Sequence, residues 1–434
     1  NRAMIKEQQK SQKSPKTALN GGKPAPCDVV VVGGGMAGMT FAVALESAGL
    51  TVTVVERLDP AGFADAGFDG RVSALSLGSR QVLETIGLWE AMSQDAAPIL
   101  DIDVTDGGTP AFLHFDHKEL HPASNAQPMG HIVENRIIRR AQMEKLPSLS
   151  GLKFMAPAVV KNIERGKTGA KVCLDDGTVI TARLVVAADG RASRLRNGAK
   201  INTTSWQYDQ SAIVTTVIHD QPHLGVAYEK FLAPGPFAIL PMTDDLDGHH
   251  RSSIVWSDRS DLVPAFLKLN ESDFNGELAR RFGDHLGRVC ATGPRWSYPL
   301  GLSLAETYIA DRLALIGDAA HAIHPIAGQG LNLGIRDAAA LAEVVVDASR
   351  LGLDIGMKTV LEDYQHWRGF DAVALAGATD ILNRLFSTNN APLRLFRGVG
   401  IDVVNAIGPA RRLFMREAMG ITGDLPRLVR GDVL

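Results

Sequence analysis

The chain has 434 residues, with 45 basic and 48 acidic side chains and a formal charge of −3, which removes any bulk electrostatic case for nucleic-acid binding. Its length suits two intertwined domains rather than one small core, and no apolar run reaches the roughly 18 residues of a membrane span. Three scattered cysteines, Cys27, Cys173 and Cys290, form no C-x-x-C and point to a reducing compartment rather than a disulfide framework.

Residues 1–26 are rich in Lys, Gln, Ser, Pro and Gly and read as a disordered, mildly basic tail. They hold no apolar h-region, so no secretory signal is expected. A single arginine makes a poor mitochondrial presequence, and Met4 is an alternative start.

The stretch CDVVVVGGGMAGMTFAVALESAGLTVTVVER occupies 27–57. Its β-branched run Asp28–Val32 predicts a buried strand. Gly33, Gly35 and Gly38 then form G-x-G-x-x-G, and an Ala/Leu/Met-rich helix runs to about Ser47. A second strand, Thr51–Val55, ends at Glu56 and Arg57. Strand, glycine turn, helix, strand and acid stand in the order a dinucleotide site requires. The glycines let the chain turn tightly, approach a pyrophosphate and pack helix on strand. The helix start adds amide donors and a positive dipole end, and Glu56 can accept from ribose hydroxyls. This motif alone leaves NAD and FAD both open.

In LVVAADGRASRLR, 184–196, an apolar strand ends at Ala188, Asp189-Gly190 turns the chain, and Ser193 and Arg196 begin a helix. Such a turn is common. In LALIGDAAHAIHPIAGQGLNLGIRD, 313–337, the strand Leu313–Ile316 ends at Gly317-Asp318. The short Asp318 carboxylate, at a strand end beside a helix start, can accept hydrogen bonds from a polyol. His321 and His324 raise the question of a metal. No H-E-x-x-H or nearby carboxylate pair completes a ligand set, so packing and hydrogen bonding beneath the loop are expected instead, and no metal. Gly328-Gln329-Gly330-Leu331-Asn332 opens a further helix that contains Asp337. No G-x-S-x-G or triad arrangement indicates hydrolysis.

Between Arg384 and Leu434 eight arginines face four acids, with apolar residues at helical spacing between them. A basic amphipathic surface of this kind suits a membrane interface or a partner protein. A helical cap with solvated arginines accounts for the same pattern.

The ordered trio of G-x-G-x-x-G, Asp189-Gly190 and Gly317-Asp318 resembles the class A flavoprotein monooxygenases, the single-component FAD aromatic hydroxylases. Within them, the chain is similar to the Ubi-type hydroxylases of ubiquinone biosynthesis, which act on 2-polyprenylphenols. The segments HIVENRIIRRA (131–141), WQYDQSAIV (206–214), FLAPGPFAILPM (231–242), SSIVWS (252–257), YPLGLSLAETYIADRLALIGD (298–318) and DAAHAIHPIAGQGLNLGIRD (318–337) carry the likeness. It spans roughly 27–420.

This resemblance implies an α/β fold: a Rossmann-like FAD-binding domain, an inserted β-sheet substrate domain and a C-terminal helical region. The expected bounds are 27–100, 130–200 and 295–355 for the first, 101–129 and 201–294 for the second, and 356–434 for the third. Asp318 matches the carboxylate that holds the ribityl chain. Asp189 and Gly190 match a motif near the pyrophosphate and the passage of the reductant. Arg71 matches the family's early arginine, and Asn135 enters the cofactor domain. Pro325 is expected beside the reactive edge of the flavin. The N–H groups of Gly328, Gly330, Leu331 and Asn332 are expected at its pyrimidine end, where charge accumulates on reduction. Trp206, Tyr208, Phe231 and Phe237 are candidates for the substrate pocket.

The resemblance further implies non-covalent FAD, NAD(P)H or another electron donor, and O2. The expected reaction is hydroxylation of the aromatic ring of a polyprenylphenol through a flavin C4a-hydroperoxide. The cofactor carries that chemistry, which agrees with the lack of a nucleophile–base pair, and no phenol-activating base stands out. A lipid-tailed phenol is the expected partner, with contacts to a membrane surface and other ubiquinone-biosynthesis proteins through the basic C-terminal region. The expected place is the bacterial cytoplasm, peripheral to the inner membrane. Two rivals stand beside this reading: an FAD hydroxylase of a small phenol, and an FAD-holding structural subunit.

Overall fold

In the computed structural model, residues 26–60, 62, 69–107, 112–120, 126–323, 328–386 and 407–434 are described. His324, Pro325, and the tail up to residue 25 lie outside them, as do Arg394 and Arg397. The β-branched run after Cys27 forms the central strand Cys27–Val32, with Val29, Val30 and Val31 fully buried. Both faces of such a strand are covered, which is why its sequence is continuous rather than alternating. Val52–Val55 lies parallel on one side of it and Val179–Ala187 on the other. Leu152–Met155 and Leu313–Leu315 extend the parallel sheet at either end. Helix Met36–Ser47 covers this sheet and packs against the long helix Gln329–Arg350.

A second sheet has eight strands, in the order His321–Ala322, Val289–Ala305, Thr203–His219, His250–Arg259, Gly235–Met242, Val226–Leu232, Asp101–Asp106, Phe112–Asp116. Its pairs are antiparallel, apart from Val226–Leu232 with Asp101–Asp106. Val289–Ala305 pairs along its length with Thr203–His219, so the expected boundary at 295 falls inside one strand. One face of this sheet packs Ile213, Ile239, Ile254 and Trp256 onto Phe274 and Leu278 of helix Glu271–Phe282. The other face turns toward the parallel sheet. A short third sheet, Val72–Ser76, Gly130–Glu134 and Ala97–Ile99, stands between the two.

Helix Lys358–Phe386 packs on Gln329–Arg350. Helix Gly408–Ala418 buries Met415, and Met419 follows it into the same small core. Arg411 bridges to Glu119 at 2.8 Å, and Arg427 to Glu343 at 3.2 Å and Asp347 at 2.6 Å. The C-terminal segment is therefore tied down as a cap on the body. Among the described residues no helix is long and apolar enough to cross a membrane.

Candidate functional site

A cavity of about 1180 Å³ lies between the ends of the parallel strands and the free face of the second sheet. That is large enough for a nucleotide cofactor and a second molecule together.

At its phosphate end, Gly33 turns with φ +109°, and a Cβ there would sit 2.2 Å from the Ala188 carbonyl oxygen. Gly35 and Gly38 line the cavity, and Gly35 precedes helix Met36–Ser47, whose start carries no side-chain cap. Those N–H groups and the dipole end are available to an anion. Glu56 is buried behind this loop. Its two oxygens accept the N–H groups of Gly34, at 2.7 Å, and Leu58, at 2.8 Å. It therefore holds the glycine loop in shape. Arg57 is exposed and off the cavity wall.

Further along, Asp318 sits in the single turn Gly317–Ala319 and faces the cavity. Its carboxylate meets solvent only inside walls of protein. That enclosure raises its pKa above the ordinary carboxylate value, against the pull of His321 and Arg191. Beneath the turn, the fully buried Asp337 accepts the Gly317 N–H at 3.0 Å and pairs with His321 at 2.5 Å and Arg368 at 3.0 Å. Burial pushes the Asp337 carboxyl up, but His321 and Arg368 hold it below the usual range. His321 thus braces the loop, as its sequence context led one to expect.

Asp189 is placed differently from its neighbours. Its Oδ2 accepts the N–H groups of Arg194, at 2.8 Å, and Leu195, at 3.3 Å, and so anchors the start of helix Arg194–Gly198. It is not part of the cavity lining, whereas Ala188, Gly190 and Arg191 are. Arg71 lines the cavity, paired with Asp69 at 2.6 Å. Asn135 also lines it and accepts a hydrogen bond from Ser73 at 2.7 Å. One helical turn on, Arg139 joins the lining; the i,i+4 spacing in NRIIR was the signal that could have found it.

At the far end of the groove, Gly328 adopts φ +62° as the cap of helix Gln329–Arg350, which also lacks a side-chain cap. Gly328, Gly330, Leu331 and Asn332 all line the cavity. The Asn332 amide is already spent: it donates to the Ala74 carbonyl at 2.8 Å and accepts the Ser76 N–H at 2.9 Å. It pins the helix start to strand Val72–Ser76.

A test of fit comes from Gly35 and Gly330. Neither has a left-handed φ, and among the described residues a Cβ on either would meet no protein atom within 4 Å. Packing does not require glycine there; space for a ligand does. Two uncapped helix starts, one acid and two such gaps along one groove fit the FAD that the resemblance implies.

The second sheet roofs the cavity, and strand alternation decides what it contributes. Phe231, Pro236, Ala238 and Leu240 face inward, while Phe237 is fully buried on the opposite face against Trp256. Phe231 is a pocket residue and Phe237 is core, which corrects the expectation for Phe237. Trp206 and Tyr208 do not line the cavity either. Both donate to Asp380 Oδ1, at 3.2 and 2.7 Å, and so fasten this sheet to helix Lys358–Phe386. A tryptophan or tyrosine in a strand reads as a pocket wall only if its face is known. Sequence reasoning also missed Tyr298 and Glu229 in the cavity wall; the Glu229 carboxyl is pushed up to about 7 by burial.

The family described as "FAD binding domain" matches residues 26–365. The ubiquinone hydroxylase UbiL of Rhodospirillum rubrum is 47% identical over 416 residues, covering 95% of each chain. The 3-demethoxyubiquinol 3-hydroxylase of Escherichia coli is 33% identical over 398 residues, covering 91% of this chain and 99% of its own. Among solved structures, the p-nitrophenol 4-monooxygenase PnpA of Pseudomonas putida superposes with a TM-score of 0.74 at 20% identity, over 91% of this chain and 98% of that one. At that identity the likeness concerns the fold.

Proposed function

The chain belongs to the FAD-binding-domain family, among its ubiquinone hydroxylases, and we propose that its substrate is a lipid-tailed phenol of ubiquinone biosynthesis. It is a flavin-dependent aromatic hydroxylase. When bound, FAD supplies reduction by a nicotinamide or another donor and activation of dioxygen for insertion into the ring. The protein's own residues bind, orient and exclude water.

In this reading, Gly33, Gly35 and Gly38 with the start of helix Met36–Ser47 receive the pyrophosphate, and Glu56 keeps that loop in shape. Asp318 accepts from the ribityl hydroxyls, braced from below by Asp337. The N–H groups from Gly328 to Asn332 face the pyrimidine end of the ring, with Arg71 and Asn135 beside the groove. The parallel sheet carries the cofactor and the second sheet roofs the substrate.

The observation that carries the substrate assignment is the roof. Ile102, Val104, Leu113, Phe115, Ala227 and Leu240 give the substrate end an apolar wall continuous with the cofactor groove. A small phenol would fill little of it. At the rim, Phe414, Glu417 and Ala418 of helix Gly408–Ala418 join the lining. The same helix exposes Leu413 and Phe414 between Arg412 and Arg416. A cationic, apolar ridge beside the cavity opening suits contact with a membrane surface, from which a polyprenyl tail would be drawn.

The test is expression in bacterial strains each lacking one ubiquinone ring hydroxylase, with quinone extraction and mass spectrometry. Rescue of one strain names the carbon, and rescue of several shows relaxed regioselectivity. FAD-loaded protein that rescues none overturns the assignment.

A further inference from the structure

The register of the second sheet places one acid in an apolar wall. Across five neighbouring strands, Leu113 stands opposite Val104, Val104 beside Glu229, Glu229 opposite Ala238, Ala238 opposite Val255, and Val255 opposite Val214 on a sixth. All six residues line the cavity. Glu229 is the only charged member of that row. Among the described residues its side chain makes no hydrogen bond and no ion pair. Burial raises its pKa, and no charged neighbour offsets that burial.

Among the described residues the other titratable or charged groups lining the cavity are Arg71, Arg139, Arg191, Tyr228, Tyr298, Asp318 and Glu417; Tyr228, next to Glu229 in its strand, packs its ring on His285. The flanking strand Gly235–Met242 has no titratable residue. On the other flank, Asp101 and Asp103 alternate to the far face, where His114 pairs with Asp103. Lys230 also points there and donates to the Phe282 carbonyl. Asp106, at the strand end beside Phe231, is buried outside the lining. A carboxyl in an apolar wall costs stability unless something partners it. Nothing among the described residues uses Glu229.

We propose that Glu229 receives the phenolic hydroxyl of the substrate's aromatic head. This inference rests on the substrate reading above. A lipid-tailed phenol is apolar except at that hydroxyl, so one polar group in the roof matches one polar handle on the ligand. The hydroxyl donates to the carboxylate and fixes how the ring is presented. One atom of dioxygen bonds to the ring as the O–O bond breaks, the other atom leaving as water with the two electrons the donor supplied through the cofactor, and in the same step the phenolic O–H bond breaks. Its electron pair stays on the phenolic oxygen and feeds the ring, and the proton passes to Glu229. A base whose pKa lies near the working pH is suited to that task.

The test compares FAD-loaded wild type, Glu229→Gln and Glu229→Leu, with 2-geranylphenol as the probe. FAD content and thermal unfolding confirm that each variant is folded. Affinity is measured by calorimetry below and above pH 7. Single-turnover product is measured after chemical reduction and exposure to oxygen. Wild type should bind more tightly above pH 7, where the carboxylate accepts. Glu229→Gln, whose amide oxygen still accepts, should bind within a few-fold at all pH values but form product at least about tenfold more slowly. Glu229→Leu should also lose about tenfold in affinity, the worth of one hydrogen bond to a charged group. If both variants bind and react as wild type does, with the same pH profile, this inference falls and the substrate reading stands. If the wild type itself does not bind the phenol, the substrate reading falls and takes this inference with it.

Discussion

A Cβ on Gly38 would stand 2.2 Å from the carbonyl oxygen of Gly33, so the first helix starts in contact with the turn that launches it. The contrast with Gly330, whose absent side chain faces open cavity, separates two reasons for a glycine. Gly38→Ala should yield little folded protein. Gly330→Val should fold and unfold thermally much as wild-type apoprotein does, yet purify with little flavin. Flavin absorbance per chain, beside circular dichroism, decides this. A yellow Gly330→Val protein would refute the placement of the ring.

Asp318 and Asp337 lie close together but should fail differently. Asp318→Ala is expected to lose FAD retention with the fold intact. Asp337→Ala leaves buried His321 without its carboxylate partner and Arg368 with Asp371 alone, and should cost about 3 kcal/mol. Because the Asp337 carboxyl is held below its ordinary value, its contribution is present above the usual carboxylate range and is lost as pH falls through the folded value. Denaturant curves of apoprotein against pH should show the wild-type advantage shrinking in acid. Wild-type-like FAD content in Asp318→Ala would remove it from the site.

Phe231→Ala and Phe237→Ala should divide along the two faces of the sheet. Phe237→Ala should destabilise by about 3–5 kcal/mol. Phe231→Ala should mainly raise KM for the phenol. Equal stability losses with equal KM would mean that the alternation has been misread.

Glu229 makes a separate prediction through stability alone. Its carboxyl rises from an ordinary 4.5 to about 7 in the folded chain. Between those values the native state holds a proton that the unfolded chain has released. Native stability should therefore fall as pH rises through that window and level off above it, by up to about 3 kcal/mol. Glu229→Gln lacks this slope, so its Tm advantage over wild type should grow across the same window. Parallel Tm curves would contradict the buried carboxyl.

The ridge on helix Gly408–Ala418 is testable with lipid vesicles. Replacing Leu413 and Phe414 together by serine should reduce co-sedimentation with anionic vesicles while leaving FAD content unchanged. Undiminished binding would move the membrane contact elsewhere.

The cofactor half of the site was legible in the residues because its signals are local. A glycine turn, the helix it opens and the acid after the next strand lie within one short stretch, and their conformations follow from φ, capping and burial of neighbours in the chain. Gly317-Asp318 and the Gly328–Asn332 helix start are local in the same sense. Asp189 was the exception: the Asp-Gly pair marked the turn, but only the fold shows its carboxylate anchoring the next helix.

The substrate half needed tertiary structure. In a strand every second side chain faces the same way, and a shift of one residue exchanges the faces. Sequence therefore named Phe231 and Phe237 alike, and only the helix packed behind the sheet sends one to the cavity and the other to the core. Trp206 and Tyr208 looked like pocket walls until Asp380, more than 170 residues away, claimed them. Glu229 was one acid in an unremarked strand. The register across six strands, set by distant pairings, is what surrounds it with apolar neighbours. By itself the sequence determined a dinucleotide-binding groove and the order of its motifs, because those depend on contacts between residues near in the chain, while FAD and the class of chemistry came from the resemblance those motifs carry. The tertiary structure alone decided which side chains meet the substrate, because that depends on which face of each strand is already covered.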